Sequence, residues 1–145
     1  MLYEIYNAIK TELTKPGNGL GLKGVEWYNV QYESTITSTP RVFVEFPEKL
    51  VFDHISKSNR RTPLRVRLHV VTKALTSTDG TVTDTAAQQH ESTATAVYEA
   101  LERFQPTAEG EALCSHMLLS GWQHFHRHMG WMVTFVEFDA RKLLA

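Results

Sequence analysis

The strongest constraint in this sequence is a strict alternation of side chains between residues 64 and 70. The apolar set is Leu64, Val66, Leu68 and Val70, and the polar set between them is Arg65, Arg67 and His69. Because successive side chains of a β-strand point to opposite faces, this period of two predicts a strand with one buried and one solvated face. The pattern is typical of antiparallel sheets. The apolar face therefore needs a second layer to cover it.

Two segments carry apolar residues at helical spacing and can supply that layer. The first stripe consists of Leu2, Ile5, Tyr6, Ile9 and Leu13. The second consists of His90, Ala94, Val97, Leu101 and Phe104. Recurrence every three to four residues places each set on one side of a helix. We expect both helices to cover one face of a mainly antiparallel sheet, with the second stripe packed on the apolar face of residues 64–70, which is an α+β two-layer fold.

Shorter segments complete the predicted sheet. Residues 25–32 are rich in aromatic and β-branched types, residues 41–46 alternate, and residues 50–55 are expected to continue that strand after a bend. Residues 56–63 are predicted to form a polar, basic loop. A strand is predicted at 113–119 and a closing hairpin at 122–126 and 131–138. We see no repeat or second boundary, so we expect one domain of residues 1–145 with the order α-β-β-β-α followed by two or three strands.

Composition argues against several functional classes. The 145 residues are 42% hydrophobic and 21% charged, ordinary values for a globular chain that buries a core without disulfides or metal. The single cysteine, Cys114, rules out an intrachain disulfide. No apolar run approaches the roughly 20 residues that span a bilayer, and the N-terminus lacks the pattern of a signal peptide. A net charge of −1 argues against a dedicated nucleic-acid binder.

The histidines are the main candidates for chemistry. His124, His126 and His128 have a spacing that, on a strand, places all three imidazoles on one face, and imidazole is a common ligand of zinc and nickel. The alternative is a solvated strand face that leads into a turn at residues 128–130, where the alternation breaks. No acidic residue follows the cluster until Glu137. We therefore expect no required metal and no other cofactor.

Covalent catalysis has weaker support. Cys114 and His116 would share one face of a strand, but sequence neighbours rarely form a catalytic dyad, and a lone cysteine is more often a small buried apolar residue. The glycine-rich run of residues 17–24 has the wrong spacing for a phosphate loop and follows a predicted helix, where a nucleotide fingerprint follows a strand. The sequence contains no other familiar catalytic motif, so we expect no enzyme activity.

The strongest local charge feature surrounds the alternating strand. Its basic members are Lys57, Arg60, Arg61, Arg65 and Arg67, and the acidic groups that could meet them are Glu45, Glu48 and Asp53. The basic set suits DNA phosphates or an acidic protein surface, whereas the alternative is a solvated hairpin tip and strand face. Arginine is favoured at interfaces. We predict that these residues form an oligomer or partner interface, in which opposite charges on two edges of a subunit meet.

Three stretches of the chain carry a family resemblance. They are the opening helix LYEIYNAIKTEL, the strand LRVRLHVVTKA with the helix AAQQHESTATAVYEALERF, and the closing strand GWMVTFVEFDAR. In their order, over most of the chain, they resemble the tail-completion or tail-terminator proteins of long-tailed bacteriophages and prophages. The resemblance implies a structural protein of the virion tail or neck, assembled in the cytoplasm of the bacterial host. It supplies no catalytic residues.

The same resemblance implies a set of partners. Subunits of such proteins assemble as a ring, commonly a hexamer, on the end of the tail tube, where they stop tube growth and join the head-side connector or neck protein. Partners would then be other copies of the chain, the tail tube protein and the connector, with DNA that passes through the ring as a further contact and no membrane. Two alternatives remain: a small-ligand or metal-binding enzyme that uses the His124, His126 and His128 cluster, and a monomeric adaptor domain.

Overall fold

The computed structural model describes residues 1–30, 38–52, 60–75, 79–126 and 130–144, with the backbone alone at Arg60 and Leu144. In chain order its elements are α1 (Tyr3–Leu13), β1 (Gly24–Trp27), β2 (Arg41–Glu45), β3 (Arg60–Lys73), α2 (Asp84–Leu101), β4 (Thr107–Ala108), β5 (Glu111–Ala112), β6 (Leu118–Phe125) and β7 (Trp131–Leu144). In the described part of the chain, neither helix is long and apolar enough to cross a membrane.

Five of the strands form one mixed sheet in the order β1-β2-β3-β7-β6. β1 runs parallel to β2, and every other neighbouring pair is antiparallel. The central pair, β3 and β7, is 14 residues long in each strand and stays in register from Arg60 opposite Leu144 to Lys73 opposite Trp131. β4 and β5 form a separate two-stranded hairpin. The predicted α+β class with a mainly antiparallel sheet is confirmed.

Both helices cover the same face of the sheet, as the sequence predicts. The main hydrophobic core contains the apolar side chains of β3, namely Leu64, Val66, Leu68 and Val70. From the helices it contains Ile5, Tyr6, Ile9 and Leu13 of α1 and Ala94, Val97 and Leu101 of α2, with Phe104 packed at its border. The period-two face of β3 and the period-3.6 stripe of α2 thus meet in one core. Thr83 caps α2, its hydroxyl accepting a hydrogen bond of 3.2 Å from the amide of Ala86.

Three predicted boundaries are wrong. β3 begins at Arg60 rather than at residue 64, because β7 continues to Leu144 and gives residues 60–63 a partner strand. Thr62 is fully buried there, and its hydroxyl exchanges hydrogen bonds with the backbone amide and carbonyl of Val51. Residues 50–52 do not continue β2 as a strand, and β1 ends at Trp27; the remainder of those two predicted segments lies outside the described residues.

The predicted strand at residues 113–119 is also largely wrong. Only its last two residues belong to β6, and Cys114 forms a single bridge to Lys142. The reason is a competing backbone pairing: the amide of Arg103 donates to the carbonyl of Met117 at 2.7 Å, and the amide of Met117 donates to Phe104 at 2.8 Å. These bonds hold the segment against the end of α2 before it enters the sheet.

Candidate partner interface on the outer face of the sheet

The face of the sheet opposite the helices carries a ladder of opposite charges. Side chains that alternate with the core-facing ones on β2, β3 and β7 lie on this outer face. The strand register places Arg67 between Glu45 on β2 and Glu137 on β7, and it places Arg65 opposite Asp139 on β7. Cross-strand neighbours of opposite sign stabilise a sheet.

The distances show that both arginines are engaged. Arg67 Nε lies 2.8 Å from a Glu137 oxygen, and its Nη1 lies 3.4 Å from Glu45 Oε1. Arg65 Nε lies 3.0 Å from Asp139 Oδ1 and its Nη1 lies 3.0 Å from Glu48 Oε1. The hydrogen bond that Arg65 donates to Asp139, together with the negative charge of that carboxylate, raises the pKa of Arg65. Each arginine is therefore held between two carboxylates of its own subunit.

Glycine at position 121 makes room for this ladder. Gly121 on β6 lies opposite Glu137, and a Cβ atom added there would come within 2.7 Å of a Glu137 carboxylate oxygen. Real Cβ atoms essentially never make contacts that short, so a larger side chain would push the carboxylate away from Arg67. Gly121 thus contributes to the position of Glu137 without making a polar contact.

His69 joins the ladder to a second, smaller core on the same face. Its ring is 2% exposed, and its Nε2 lies 2.7 Å from Glu45 Oε1. The ring stacks on Tyr28 at 4.0 Å and meets the edge of Phe135 at 4.5 Å. Burial lowers the pKa of His69 to about 4 and outweighs the opposing effect of Glu45. The imidazole is therefore neutral at pH 7, and because a carboxylate only accepts, its Nε2–H donates to Glu45.

A second hydrophobic core lies on this outer face. It contains Phe43, Val71, Val133 and Phe135, all of them buried, with Tyr28, Phe125 and Trp131 packed against it. The guanidinium of Arg67 lies 4.9 Å from the centre of the Phe135 ring, at a distance suited to a cation–π contact. One part of the outer face is therefore an apolar core, against which Tyr28, Phe125 and Trp131 pack, and the other part carries the charges paired around Arg65 and Arg67.

The structure brings together four of the residues predicted for the interface, Glu45, Glu48, Arg65 and Arg67. For these four, the expectation that opposite charges lie on two edges of the subunit is wrong: they pair within one subunit on one face, because β2 and β7 flank β3 on either side. Arg61 is exposed. Lys57 and Asp53 lie outside the described residues, as does the side chain of Arg60.

Sequence reasoning missed the acidic half of the ladder on β7. Glu137 and Asp139 are two residues apart in the predicted closing strand, which places them on the same face. Their spacing mirrors that of Arg65 and Arg67. A signal was present, but it becomes readable only when the register of β3 against β7 is known.

The histidine cluster is partly described. The rings of His124, on β6, and His126, one residue beyond its end, lie 5.6 Å apart, and His128 lies outside the described residues. Within the described ranges, no group of three His, Cys, Asp or Glu side chains could hold a metal ion. The expectation that no metal is required remains a prediction.

Cys114 has none of the properties of an activated thiol. It is fully buried, and burial raises its pKa to about 11, so that it is protonated at neutral pH. The nearby positive charge of Lys142 opposes this effect only in part. His116 is exposed, whereas the thiol is not. The site cannot supply a thiolate nucleophile.

Comparison with known proteins adds a likeness of fold. No family model matches the chain, and no curated protein matches its sequence. Among solved structures, the fold is similar to that of a chain in the structure described as the virion of a native gene transfer agent (GTA) particle, with a TM-score of 0.67. The two sequences are 13% identical, and the match covers 97% of this chain and 95% of that chain.

Proposed function

We propose that this chain is a structural protein of a phage-like virion. The observation that carries the proposal is the near full-length fold match to a chain of the GTA virion. The match covers 97% of this chain and 95% of that chain, so the likeness extends over nearly all the elements described above. Because fold alone permits many functions, the proposal also draws on the sequence resemblance to phage tail proteins.

Within that class, we propose the role of a tail-terminator or tail-completion subunit, acting as one domain of residues 1–145. Copies of the chain would form a ring, as a hexamer, at the end of the tail tube and join it to the head-side connector. The support is that the order of elements quoted above from the sequence is the order that the structure has, from α1 through β3 and α2 to β7.

The charged outer face is the surface we assign to the tube protein or the connector. Its described members are Glu45, Glu48, Arg61, Arg65 and Arg67. Ion pairs within the subunit fix all of these side chains except that of Arg61 before a partner arrives, which lowers the entropy lost on binding. Alternating carboxylates and guanidinium groups contribute more to the orientation of a bound partner, and to its selection, than to the affinity of binding. We extend the same surface to Lys57, Arg60 and Asp53, which adjoin it in the sequence.

An enzyme is the weaker candidate. The buried, protonated thiol of Cys114 lacks the reactivity a nucleophile needs. The proposal that the chain is not an enzyme, and that the histidine cluster needs no metal, is tested by metal analysis of protein purified without an affinity tag. Stoichiometric zinc that survives dialysis would favour the metal-enzyme alternative.

Tail tubes that lack their terminator provide the direct test of function. Added protein should bind the tube ends as a ring visible by electron microscopy and should stop further elongation. Arg65→Glu is expected to weaken this capping, because Arg65 is partly exposed and its reversal leaves Glu48 and Asp139 without a counter-charge. Lys15→Glu is a matched control, since Lys15 is also an exposed cation in an ion pair, but it lies just after the end of α1.

The controls separate folding from capping. Circular dichroism should show that both variants keep the fold. Normal capping by the Arg65 variant would mean that the outer face does not contact the tube. A wild-type protein that neither oligomerises nor binds any tail component would support the monomeric adaptor instead.

A further inference from the structure

The glycine-rich loop after α1 contains an asparagine that is followed directly by a glycine. Asn18 precedes Gly19, whereas the other asparagines in the sequence, Asn7, Asn29 and Asn59, precede residues that carry a Cβ atom. The backbone nitrogen of the next residue can attack the amide carbon of an asparagine side chain, and a glycine leaves that attack unhindered because it lacks a Cβ. Both residues of the pair are exposed, so water reaches them.

The surroundings of Gly19 leave its nitrogen available for such an attack. Its φ of +74° is a conformation that glycine adopts freely, and a Cβ atom added there would meet nothing within 4 Å. Among the described residues, none accepts a hydrogen bond from the Gly19 amide. The nitrogen is therefore not engaged elsewhere.

The side chain of Asn18, in contrast, is held at the C-terminal end of α1. Its Nδ2 donates to the carbonyl of Leu13 at 2.9 Å and to that of Glu12 at 3.4 Å, and its Oδ1 accepts from the amide of Leu20 at 3.0 Å. The last carbonyls of a helix lack partners within the helix and need such donors. Asn18 therefore acts as a cap of α1.

We propose that Asn18 is a site of spontaneous deamidation whose rate is controlled by the opening of this cap. The Gly19 nitrogen forms a bond to Cγ of Asn18, the bond from Cγ to Nδ2 breaks, and the proton that the nitrogen loses leaves on the departing ammonia. Water then opens the five-membered succinimide to aspartate or isoaspartate. The reaction consumes only water, and the inference is independent of the proposed virion role.

The cap controls the rate because the same atoms serve both purposes. Ring closure turns Cγ of Asn18 toward the Gly19 nitrogen and releases Nδ2, so the hydrogen bonds from Nδ2 to α1 must break first. The reactive molecules are then the small fraction in which this end of the helix has opened. Deamidation of the folded protein should be slower than that of the unfolded chain by about tenfold or more.

The product cannot restore the cap. A carboxylate has no hydrogen to donate to the carbonyls of Glu12 and Leu13, and its negative charge lies at the negative end of the helix dipole. Leu13 belongs to the main core, so the end of α1 that loosens is one that the fold uses. Deamidation should therefore leave α1 permanently more open at this end.

Peptide mass spectrometry of the full chain, aged at mildly alkaline pH with and without urea, tests the site and its control. Asn18 should be converted faster than the other three asparagines, and about tenfold or more slowly in folded protein than in urea. Gly19→Ala should slow the conversion in urea, where only the added Cβ matters. An unmodified Asn18 in urea would overturn the site, and equal rates in the two conditions would overturn control by the cap.

Hydrogen exchange of two variants tests the consequence. Asn18→Ala removes the cap, and Asn18→Asp reproduces the charge of the product as well. Both should speed exchange at the amide of Thr14, which donates to Lys10 at the end of α1, and Asn18→Asp should do so more strongly. Asn7→Asp is the matched control, since it makes the same chemical change at an exposed position earlier in α1. Unchanged exchange in both Asn18 variants would mean that this side chain does not hold the helix end, which would also overturn the proposal.

Discussion

Acid should unfold this protein through two buried histidines. His90 of α2 is 7% exposed, and its ring lies between two hydroxyls, with Nδ1 2.6 Å from Thr72 Oγ1 and Nε2 2.7 Å from Thr134 Oγ1. Burial lowers its pKa to about 4, and His124 adds to the effect. Burial likewise lowers the pKa of His69 to about 4. A proton on either ring would place a positive charge in a buried position, and at His90 it would also turn the nitrogen that accepts a hydrogen bond into a donor.

The sign and size of the effect follow from proton linkage. In the unfolded chain both histidines titrate near pH 6.5, so as the pH falls the unfolded state binds protons first. Their contribution to stability is therefore complete above pH 6.5 and is lost as the pH falls toward 4. Between pH 7 and pH 4 the loss is on the order of 3 kcal/mol for each histidine. Domains are stable by only about 5–15 kcal/mol, so the two together remove a large part of the total.

Urea unfolding at pH 7, 5.5 and 4 measures this loss directly. His90→Gln keeps a donor and an acceptor for Thr72 and Thr134 but cannot be protonated. Its free energy of unfolding is lower at pH 7, yet it should fall by about 3 kcal/mol less than that of the wild type between pH 7 and pH 4. His69→Gln should behave in the same way. His116→Gln, at an exposed position, is the control. If both buried-site variants lose stability in parallel with the wild type, the linkage reasoning is wrong.

Three further predictions concern packing, charge and the thiol. Leu68→Ala and Leu101→Ala should each lower the free energy of unfolding by about 2–5 kcal/mol, because both side chains are fully buried where β3 meets α2. A loss well below about 1 kcal/mol at both positions would contradict that packing. Arg67→Ala should cost about 1 kcal/mol in urea unfolding and Lys15→Ala less, since Arg67 is partly buried between two carboxylates and Lys15 is exposed in a single pair. Cys114 should react with a thiol reagent only in denaturant, so rapid modification of folded protein would contradict its burial and its raised pKa.

The parts of the fold that could be predicted are those that depend on the hydrophobic pattern of a single segment. The alternation at residues 64–70 and the stripe from His90 to Leu101 each determine a buried face by themselves, and the structure joins them in one core. The helical spacing places His90 in the same stripe as the apolar residues. It is buried there, but as a polar group bonded to two threonines that lie far away in the sequence.

The parts that could not be predicted depend on partners distant in the sequence. Residues 60–63 look like a basic loop until β7 is known to extend far enough to pair with them. Residues 113–117 look like a strand until the end of α2 competes for their backbone groups. The charge ladder could not be predicted for the same reason. The sequence shows which residues are charged, but the register of β2, β3 and β7 decides whether they pair within a subunit or between subunits.

The two faces of the sheet differ in what they leave for a partner. The inner face is covered by the two helices, whereas the outer face carries a second apolar core and charges that are paired within the subunit. The paired charges therefore suit a partner protein that is recognised by charge and orientation. Arg65→Glu should weaken capping of the tube while the fold stays intact, because its two ion pairs are partly exposed and such pairs contribute little to stability. A variant that loses its fold by circular dichroism together with capping would mean that these ion pairs maintain the fold and that their loss says nothing about the contact.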